Sequence, residues 1–342
     1  MNAATAWAEL IEDRGEAALS AEFFRSREFL AAEGATHTLR IEGEAAGGPV
    51  ELVAPVLVRA IGDGPARDAV SPYSYPGIVP AGAGGEVGSG GVSAPAYFTA
   101  ADAFAEANPD ALDPVAIDFS ATGLVSLFIR HRLGPPALAG STPRNLVQIA
   151  HPGLPTKSRP SDRRQVRRNL EAGYELRLVP GSETTPEQRS GFLDVYEQTM
   201  RRTEAAPHYY FGSAYFDRIL SAERTWLALA HAPDGALAAA SIAVVSDGFL
   251  HYYLSGSADS HLRDSPMKNV AARLVEHAAE LELPLNLGGG IVPGDALEEF
   301  KRGFANRSLR WHTSEVVCDR QRYAELSGDR DAGDYFPAYR AP

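Results

Sequence analysis

Hydrophobic residues along the chain follow either the helical spacing of three to four residues or the alternating or continuous runs of a strand. A change from one pattern to the other predicts where one element ends and the next begins. The clearest change lies in residues 283–304, which read LPLNLGGGIVPGDALEEFKRGF. A short apolar run stops there at three consecutive glycines, Gly288, Gly289 and Gly290. Beyond them, apolar residues return at helical spacing on one face: Leu297, Phe300 and Phe304. The pattern predicts a strand, a glycine loop and a helix on which Lys301 lies beside the buried face.

The rest of the second half shows the same two patterns with strong signals. Helical spacing predicts helices over 161–172 (entered through Ser161-Asp162), 185–203, 212–222 and 265–282. Apolar or alternating runs predict strands over 174–179, 225–231, 236–245, 249–255 and 308–318. The turn sequences Pro-Asp-Gly and Asp-Gly join the middle three strands as hairpins. This order predicts a mixed, twisted sheet with helices on both faces.

The first half contains a weaker version of the same pattern. We expect one or two helices within 3–33, a helix over 96–107, and strands over 37–41, 51–59, 115–119, 125–130 and 145–150. Residues 68–77, DAVSPYSYPG, are predicted to form a rigid extended loop carrying Tyr73 and Tyr75. Residues 82–91 are glycine-rich without the lysine of a P-loop, which predicts a surface excursion.

The length and composition allow two compact domains. The chain has 342 residues, of which 44% are hydrophobic and 22% are charged, an ordinary globular composition. Breakers over 151–160 mark the boundary, so we expect a first lobe of residues 1–145 and a second of 146–318. Residues 319–342 carry four aromatic residues, too many for a pure linker, and we expect them to complete the first lobe.

Several classes of protein are disfavoured by the composition and motifs. No apolar run approaches the roughly 20 residues of a membrane span, and the acidic N-terminus is unlike a signal peptide, so we expect a cytoplasmic protein. Cys318 is the only cysteine, which excludes an internal disulfide and predicts a buried, inert thiol. The zinc-protease, hydrolase and P-loop motifs are missing from the sequence, and the histidines, including His251, His277 and His312, are scattered. We expect no metal site and no cofactor.

The net charge of −12 is unevenly distributed. Residues 1–150 hold 18 acidic and 9 basic residues, whereas residues 151–342 hold 26 and 23. Seven basic residues stand against three acidic ones between Lys157 and Arg177. Four of the arginines belong to one predicted helix: Arg163, Arg164, Arg167 and Arg168. This patch would attract a phosphate backbone, although a solvated helix face is the commoner meaning of such a run.

The segment that carries LNLGGG and D-x-L-x-x-F-K-x-x-F resembles the C-terminal signature of the Fem-like aminoacyltransferases and their relatives with a GNAT-type acyltransferase fold. The loop at 68–77 resembles the D-x-x-S/T-P-Y-G-Y-x-G loop of that family, with Ser74 where a glycine is usual. The resemblance covers most of the chain and is best over 161–318. It implies an α/β (α+β) fold of two tandem GNAT-like lobes, each a mixed twisted sheet flanked by helices.

The resemblance also implies a reaction: an aminoacyl group passes from aminoacyl-tRNA to an amine of a small molecule or a peptide. The first lobe would serve the acceptor and the second the donor. Lys301 matches the lysine that lies near the transfer centre of the family, which makes it the candidate catalytic residue. In the purely structural alternative, Asp295 caps the helix while Lys301 and Arg302 are solvated charges near its C-terminus.

Further candidate residues follow by position in the family. The substrate-binding candidates are Tyr73 and Tyr75 at the acceptor cleft, Arg201, Arg202, Tyr209 and Tyr210 in a stretch resembling M-R-R…Y-Y-F, and the three glycines. The tRNA-binding candidates are the four arginines of the basic helix. Two plain structural alternatives stay open: the tyrosine loop packs on its own domain, and residues 209–211 form a hydrophobic staple into the next helix.

The donor could instead be an acyl-coenzyme A. A GNAT enzyme that uses acetyl-coenzyme A normally carries Q/R-x-x-G-x-G/A between its fourth strand and the following helix, where glycine amides bind the pyrophosphate. Here residues 257–268 read SADSHLRDSPMK without any glycine, and Asp259 and Asp264 add negative charge. The coenzyme A site therefore looks lost. An atypical acyl-coenzyme A transferase and a non-catalytic GNAT-like binding protein remain as alternatives, and peptidoglycan and secondary-metabolite acceptors are not separated.

Overall fold

The computed structural model describes residues 6–16, 18–45, 47–82, 102–105 and 107–341. The chain forms two compact units: unit 1 comprises Met1–Arg144 and Arg310–Pro342, and unit 2 comprises Asn145–Leu309. Most of the glycine-rich excursion expected at 82–91 and of the helix expected at 96–107 lies outside the described residues. The described part of that helix holds a 3-10 turn, Asp102–Phe104.

The described residues form the following regular elements. The strands are β1 (Ala6–Glu12), β2 (His37–Ala45), β3 (Gly48–Ala60), β4 (Arg67–Val70), β5 (Val79–Pro80), β6 (Ile117–Asp118), β7 (Ser126–Arg130), β8 (Thr142–Ala150), β9 (Glu175–Pro180), β10 (Thr225–His231), β11 (Leu237–Ser246), β12 (Phe249–Ser257), β13 (Leu285–Gly288) and β14 (Arg307–Val317). The α-helices are α1 (Arg27–Glu33), α2 (Pro160–Glu171), α3 (Pro186–Arg202), α4 (Ser213–Ser221), α5 (Met267–Glu280), α6 (Ala296–Arg302) and α7 (Arg320–Ser327).

Unit 1 is built on a mixed sheet. Its strands lie in the order β6, β1, β2, β3, β4, β7 and β14, with β5 paired to β3. The pairs β6–β1 and β4–β7 are parallel, and the other pairs are antiparallel. Alternate residues of the central strands form the core, for example Leu39 and Ile41 of β2 and Ala54 and Val56 of β3, all fully buried.

The helices expected within residues 3–33 are partly wrong. Residues 6–12 form strand β1, which pairs antiparallel with β2 from Ala6↔Gly43 to Glu12↔His37. Ala6 and Ala8 are buried and Trp7 between them is exposed, so the segment has the period of a strand although its alanines and glutamates favour a helix. Among residues 6–16 and 18–33, only α1 and a 3-10 turn at Phe23–Arg25 are helical.

The strand expected at 115–119 is also largely wrong. Pro114–Ala116 is a 3-10 turn capped by Asp113, and only Ile117–Asp118 pairs as a strand. Val115 is 79% exposed, so it does not belong to the apolar core that its β-branched side chain suggested. The Asp-Pro sequence explains the turn, because the Asp113 carboxylate accepts the Val115 amide proton and proline fits the first position.

Unit 2 has a second mixed sheet segment with helices on both faces. Its strands lie in the order β8, β13, β12, β11, β10 and β9, of which only β13 and β12 are parallel. Ala228 and Ala230 of β10 pack in one apolar cluster with α5. On the opposite face α3 comes so close that a Cβ at Gly256 would lie 2.4 Å from the Val195 carbonyl oxygen. The prediction of an α/β fold with helix-flanked mixed sheets is confirmed.

Two local predictions in unit 2 are wrong. Helix α2 begins at Pro160 after Arg159 and does not enter through Ser161-Asp162, because the Asp162 carboxylate pairs with Lys268 at 2.8 Å instead of capping the helix. Leu297, expected on the buried face of α6, is 40% exposed, whereas Phe304 is 7% exposed. The buried face of α6 is therefore narrower than the apolar spacing indicated.

Candidate functional site

The glycine loop after β13 is shaped by close contacts that leave no room for side chains. Gly288 has φ +79°, a conformation that favours glycine, and a Cβ there would lie 3.0 Å from Lys301 Nζ. A Cβ at Gly289 would lie 2.8 Å from the carbonyl oxygen of Leu146, and one at Gly290 would lie 2.4 Å from Asp295 Oδ1. All three glycines are thus required by the way β13, β8 and α6 pack.

Lys301 is the buried cation of this loop. Its residue is 8% exposed, and its Nζ donates a hydrogen bond of 2.6 Å to the carbonyl oxygen of Gly289. Burial lowers the pKa of Lys301 to about 8, and the negative charge of Asp295 opposes that shift. Lys301 is therefore not the solvated charge that the purely structural alternative expects.

Two carboxylates fasten the far end of the loop to α6. Asp295 caps the helix, accepting from the amides of Ile291 (2.6 Å), Val292 (3.1 Å) and Glu298 (2.7 Å). The buried Glu298 accepts from the Gly294 amide at 2.7 Å and pairs with Arg302. Hydrogen bonds from backbone amides lower the pKa of both carboxyls, which keeps them ionised at neutral pH. The purely structural alternative is therefore correct that Asp295 is the N-cap of α6.

The basic helix α2 packs against α6 while its arginines face outward. The Arg159 guanidinium donates to the carbonyl oxygen of Glu299 at 2.9 Å, and a Cβ at Gly303 would lie 2.4 Å from an oxygen of the buried Asp162. The four candidate tRNA-binding residues are all exposed: Arg163, Arg164, Arg167 and Arg168. Of these, Arg163 bonds to Ser158, and Arg167 lies 3.7 Å from Glu171.

The junction between β12 and α5 is filled by interactions of the chain itself. The amides of Ser265, Lys268 and Asn269 donate to the carbonyls of residues 262, 265 and 266. Tyr174 donates its hydroxyl proton to Asp264 at 2.7 Å. Burial, with that carboxylate, raises the pKa of Tyr174 to about 12. The segment is therefore tied down locally instead of presenting a row of open amides.

The other candidates of unit 2 lie at the C-terminal end of α3. Arg202 pairs with Asp259 of the junction, and Arg201 pairs with Glu197 at 3.3 Å. Tyr209 is held through its carbonyl by the Tyr196 hydroxyl at 2.7 Å, and Tyr210 is 44% exposed. Phe211 stacks on Tyr215 of α4 at 4.1 Å and meets Phe216 edge-on, which is the staple of the structural alternative.

Tyr73 and Tyr75 belong to unit 1, where their loop is anchored on its own domain. The Tyr73 amide donates to Glu33 at 2.8 Å, and the buried Arg25 donates to the carbonyl of Pro76 at 2.7 Å. The Tyr75 ring meets the edges of Phe24 and Trp311, each at 5.9 Å between centroids. The structural alternative for this loop therefore has direct support.

Among the predicted residues, the structure joins Lys301 to the glycine loop by direct contact. No hydrogen bond or ion pair between the described residues of unit 2 links Lys301 to the predicted arginines or to Tyr209 or Tyr210. Sequence reasoning gave no role to two polar residues beneath the loop: His251 is an isolated histidine without a motif, and Asn286 was considered only as part of the LNLGGG segment. Within the described part of the chain, no group of three or more His, Cys, Asp or Glu could hold a metal ion. Burial raises the pKa of the Cys318 thiol to about 12.

The comparisons with known proteins agree with this fold. The family model described as an acetyltransferase (GNAT) domain matches residues 156–302. Among solved structures the chain is similar to FemX, at 11% identity and TM-score 0.53, covering 84% of this chain and 89% of FemX. It is also similar to the C-terminal domain of a putative lysylphosphatidylglycerol synthetase from Agrobacterium fabrum, at 14% identity and TM-score 0.50, covering 86% and 88%.

A third similar structure is L-PGS from Bacillus licheniformis, at 11% identity and TM-score 0.50, covering 85% of this chain and 86% of that one. A search of curated proteins gives no significant match. These similarities confirm the GNAT-type fold that the resemblance seen in the sequence implied, and residues 156–302, which match the GNAT domain model, lie in unit 2. In the part of the chain that the structure describes, no helix has the length and apolarity that crossing a membrane requires.

Proposed function

We propose that the protein is an aminoacyltransferase that forms an amide between an aminoacyl group, delivered by aminoacyl-tRNA, and an amine of a small molecule or a peptide. The observation that carries this proposal is the junction between β12 and α5. The amides of Ser265, Lys268 and Asn269 are engaged within the turn, Pro266 has no amide proton, and Asp259 and Asp264 add negative charge. A pyrophosphate bound there would lose donors and meet like charges, which disfavours a coenzyme A donor.

The proposed reaction requires little chemistry from the protein. The acceptor nitrogen attacks the carbonyl carbon of the aminoacyl ester, a C–N bond forms, and the C–O bond to the terminal ribose of the tRNA breaks. The proton lost by the amine ends on the ribose oxygen. The protein must align the two reactants and stabilise the negative oxygen of the tetrahedral intermediate, and the Lys301 ammonium is the cation proposed for that role.

The remaining site assignments are part of the same proposal. Tyr73 and Tyr75 would border the acceptor site, and Arg201, Arg202, Tyr209 and Tyr210 would contact the substrates together with the glycine loop. The exposed arginines of α2 would contact phosphates of the tRNA. Their exposure supports this last assignment, since residues with buried guanidinium groups could not reach a nucleic acid.

A coenzyme A donor is the second candidate, and the match of residues 156–302 to an acetyltransferase domain favours it. In the deciding experiment the protein is incubated with general amine acceptors and one of two donors. The first reaction contains mixed charged tRNA, and the second contains a panel of acyl-coenzyme A thioesters. We expect amide product with charged tRNA that disappears after ribonuclease treatment. Release of free thiol in the second reaction, without product in the first, would establish the alternative donor. No product in either reaction would favour a binding protein.

A further inference from the structure

A buried chain of hydrogen bonds leads from the turn between β11 and β12 to the glycine loop. His251 of β12 and Asn286 of β13 are register partners on parallel strands, and they are 3% and 2% exposed. His251 Nε2 lies 3.1 Å from the Ser246 carbonyl oxygen, and Asn286 Nδ2 lies 3.0 Å from His251 Nδ1. The amide of Gly288 donates to Asn286 Oδ1 at 2.9 Å. The chain thus ends on the first glycine of the loop.

The two backbone groups at its ends fix the direction of every hydrogen bond in this chain. A carbonyl can only accept, so His251 Nε2 carries the proton directed at Ser246. An amide can only donate, so Asn286 turns its oxygen to Gly288 and its NH₂ group to His251 Nδ1, which must be unprotonated. The imidazole is therefore neutral with one defined tautomer. Burial lowers the pKa of His251 to about 4, with Asp247 opposing the shift, which agrees with this assignment.

This chain of hydrogen bonds anchors the glycine that precedes the carbonyl group bonded by Lys301. Gly288 is held through its amide by Asn286, and the next carbonyl, that of Gly289, accepts the hydrogen bond from Lys301 Nζ. The neighbours of Asn286 on β13, Leu285 and Leu287, are fully buried apolar residues. A third leucine would bury apolar surface at this position without the cost of desolvating an amide, but it would leave the Gly288 amide without its partner.

We propose that His251 and Asn286 are positioning residues: they hold Gly288 by its amide and so place the next residue, Gly289, where its carbonyl oxygen receives the Lys301 ammonium. Asn286 acts directly on the loop, and His251 acts by fixing the orientation of the Asn286 amide. The consequence for acyl transfer rests on the proposed function, but the positioning itself is a property of the folded protein. It can therefore be tested without any substrate.

The sequence contains only three lysines, Lys157, Lys268 and Lys301, which makes lysine reactivity a clean test. The folded protein is labelled with limiting acetic anhydride at pH 8, and labelling at each lysine is read by peptide mass spectrometry. Exposed Lys157 is the internal standard. In Asn286→Leu and His251→Phe, we expect the Lys301 to Lys157 ratio to rise by about tenfold, the factor for loss of one buried hydrogen bond that holds a loop.

Two controls separate loop release from general loosening. Ser241 is fully buried in β11 and bonds to the Leu254 carbonyl at 3.2 Å, outside this chain, so Ser241→Ala should leave the Lys301 ratio unchanged. Lys268, paired with Asp162, should keep its wild-type ratio in all three variants, because it reports unfolding of the unit as a whole. A wild-type Lys301 ratio in both folded variants would overturn the proposal.

A second measurement uses the wild-type protein and does not depend on whether the variants fold. The Gly288 amide should exchange its hydrogen at least about a hundredfold more slowly than an open loop amide, because Asn286 covers it. Exchange at the rate of an open amide would refute the anchoring role. If the wild type also transfers aminoacyl groups, Asn286→Leu should lower kcat with little change in KM for either substrate. Absence of transfer in the wild type would count against the proposed function and leave the labelling result standing.

Discussion

At the scale of single residues, the buried ammonium of Lys301 is the feature most directly connected with function. Removing a charge from water destabilises the fold, and the hydrogen bond of Lys301 to the Gly289 carbonyl offsets only part of that cost. The sequence could predict that this lysine lies beside a wall, because Phe300 and Phe304 mark the buried face. It could not predict the depth of burial, which depends on how three glycines let β13 and α6 approach each other.

We predict that Lys301→Met lowers the transfer rate at least about a hundredfold, the loss expected when one charge-stabilising donor is removed. The melting temperature should stay unchanged or rise, because methionine replaces a buried cation by an apolar chain of similar length. Lys157→Met, at an exposed lysine, is the matched control and should change neither quantity. Turnover close to wild type in Lys301→Met would remove this residue from the mechanism.

The pH dependence provides a check on the same variant. The folded pKa of Lys301, about 8, lies below the ordinary lysine pKa of 10.5, so the unfolded chain binds more protons between these values. The contribution of Lys301 to stability therefore becomes more favourable as pH rises from about 8 to 10.5, and Lys301→Met should abolish that contribution. If the ammonium is the active form, transfer should fall as pH rises through about 8. A rate that rises there would indicate that the neutral amine acts as a base.

Ser74 has a backbone conformation that favours glycine. It has φ +72°, in the left-handed region, at the position where the resembling family usually has glycine. We predict that Ser74→Gly raises the free energy of unfolding by about 0.5–1 kcal/mol, since relief of the left-handed strain exceeds the added entropy of the unfolded chain.

The neighbouring Gly77 is the control for this loop. It has φ +69°, and a Cβ there would lie 3.0 Å from the Arg132 amide nitrogen, so Gly77→Ala should destabilise unit 1. Denaturant titration of both variants measures the two changes. A loss of stability in Ser74→Gly would show that the serine side chain contributes more than its backbone conformation costs.

At the scale of elements, sequence periodicity predicts unit 2 better than unit 1. The predicted hairpin at Asp247-Gly248 has both residues at positive φ, and α3 begins with the capping box of Thr185 and Gln188. These elements carry local signals that tertiary contacts do not override. Strand β1 carries the opposite signal, because its helix-forming residues become a strand through pairing with β2 and β6.

Helix α2 is the element on which the proposed donor can be tested. Its buried side holds Asp162 and Asn169, which contact Lys268 and Asn269 of α5, so the exposed arginines are free to change without altering that contact. The test variant has glutamate in place of the four exposed arginines of α2: Arg163, Arg164, Arg167 and Arg168. We expect a higher KM for charged tRNA and a flatter salt dependence, because each phosphate contact adds a roughly fixed increment to the salt slope.

The control for this quadruple variant has the same net charge. It reverses four other arginines of unit 2 that are exposed and lie outside α2: Arg177, Arg218, Arg224 and Arg263. Of these four, only Arg177 belongs to the basic patch of residues 157–177, so the KM of the control for charged tRNA should rise less, and the KM for the acceptor should barely change in either variant. Equal effects of the two variants would mean that only overall charge matters, and unaltered values in the first would leave α2 as an ordinary solvated face.

At the scale of the whole molecule, the chain's last segment is part of a domain whose first residues lie about 300 positions earlier, because Arg310–Pro342 groups with Met1–Arg144 in unit 1. The sequence indicated such a return only through the aromatic residues of 319–342. The polar contact that fastens the segment carries no motif. The fully buried Asp68 of β4 accepts from Arg340 Nη2 at 3.1 Å, Arg59 Nε at 2.9 Å and the Tyr339 hydroxyl at 3.2 Å.

We predict that Arg340→Gln destabilises unit 1 by about 1.5–3 kcal/mol, since the buried Asp68 carboxylate loses one of the two guanidinium groups that pair with it and keeps the other, that of Arg59. Arg322→Gln in the same segment is the matched control, because the Arg322–Glu325 pair is exposed and should contribute at most about 1 kcal/mol. Thermal and denaturant unfolding measure both variants. Equal, small effects of Arg340→Gln and Arg322→Gln would contradict this account, and the aromatic contacts of Tyr323, Phe336 and Tyr339 would then have to hold the segment.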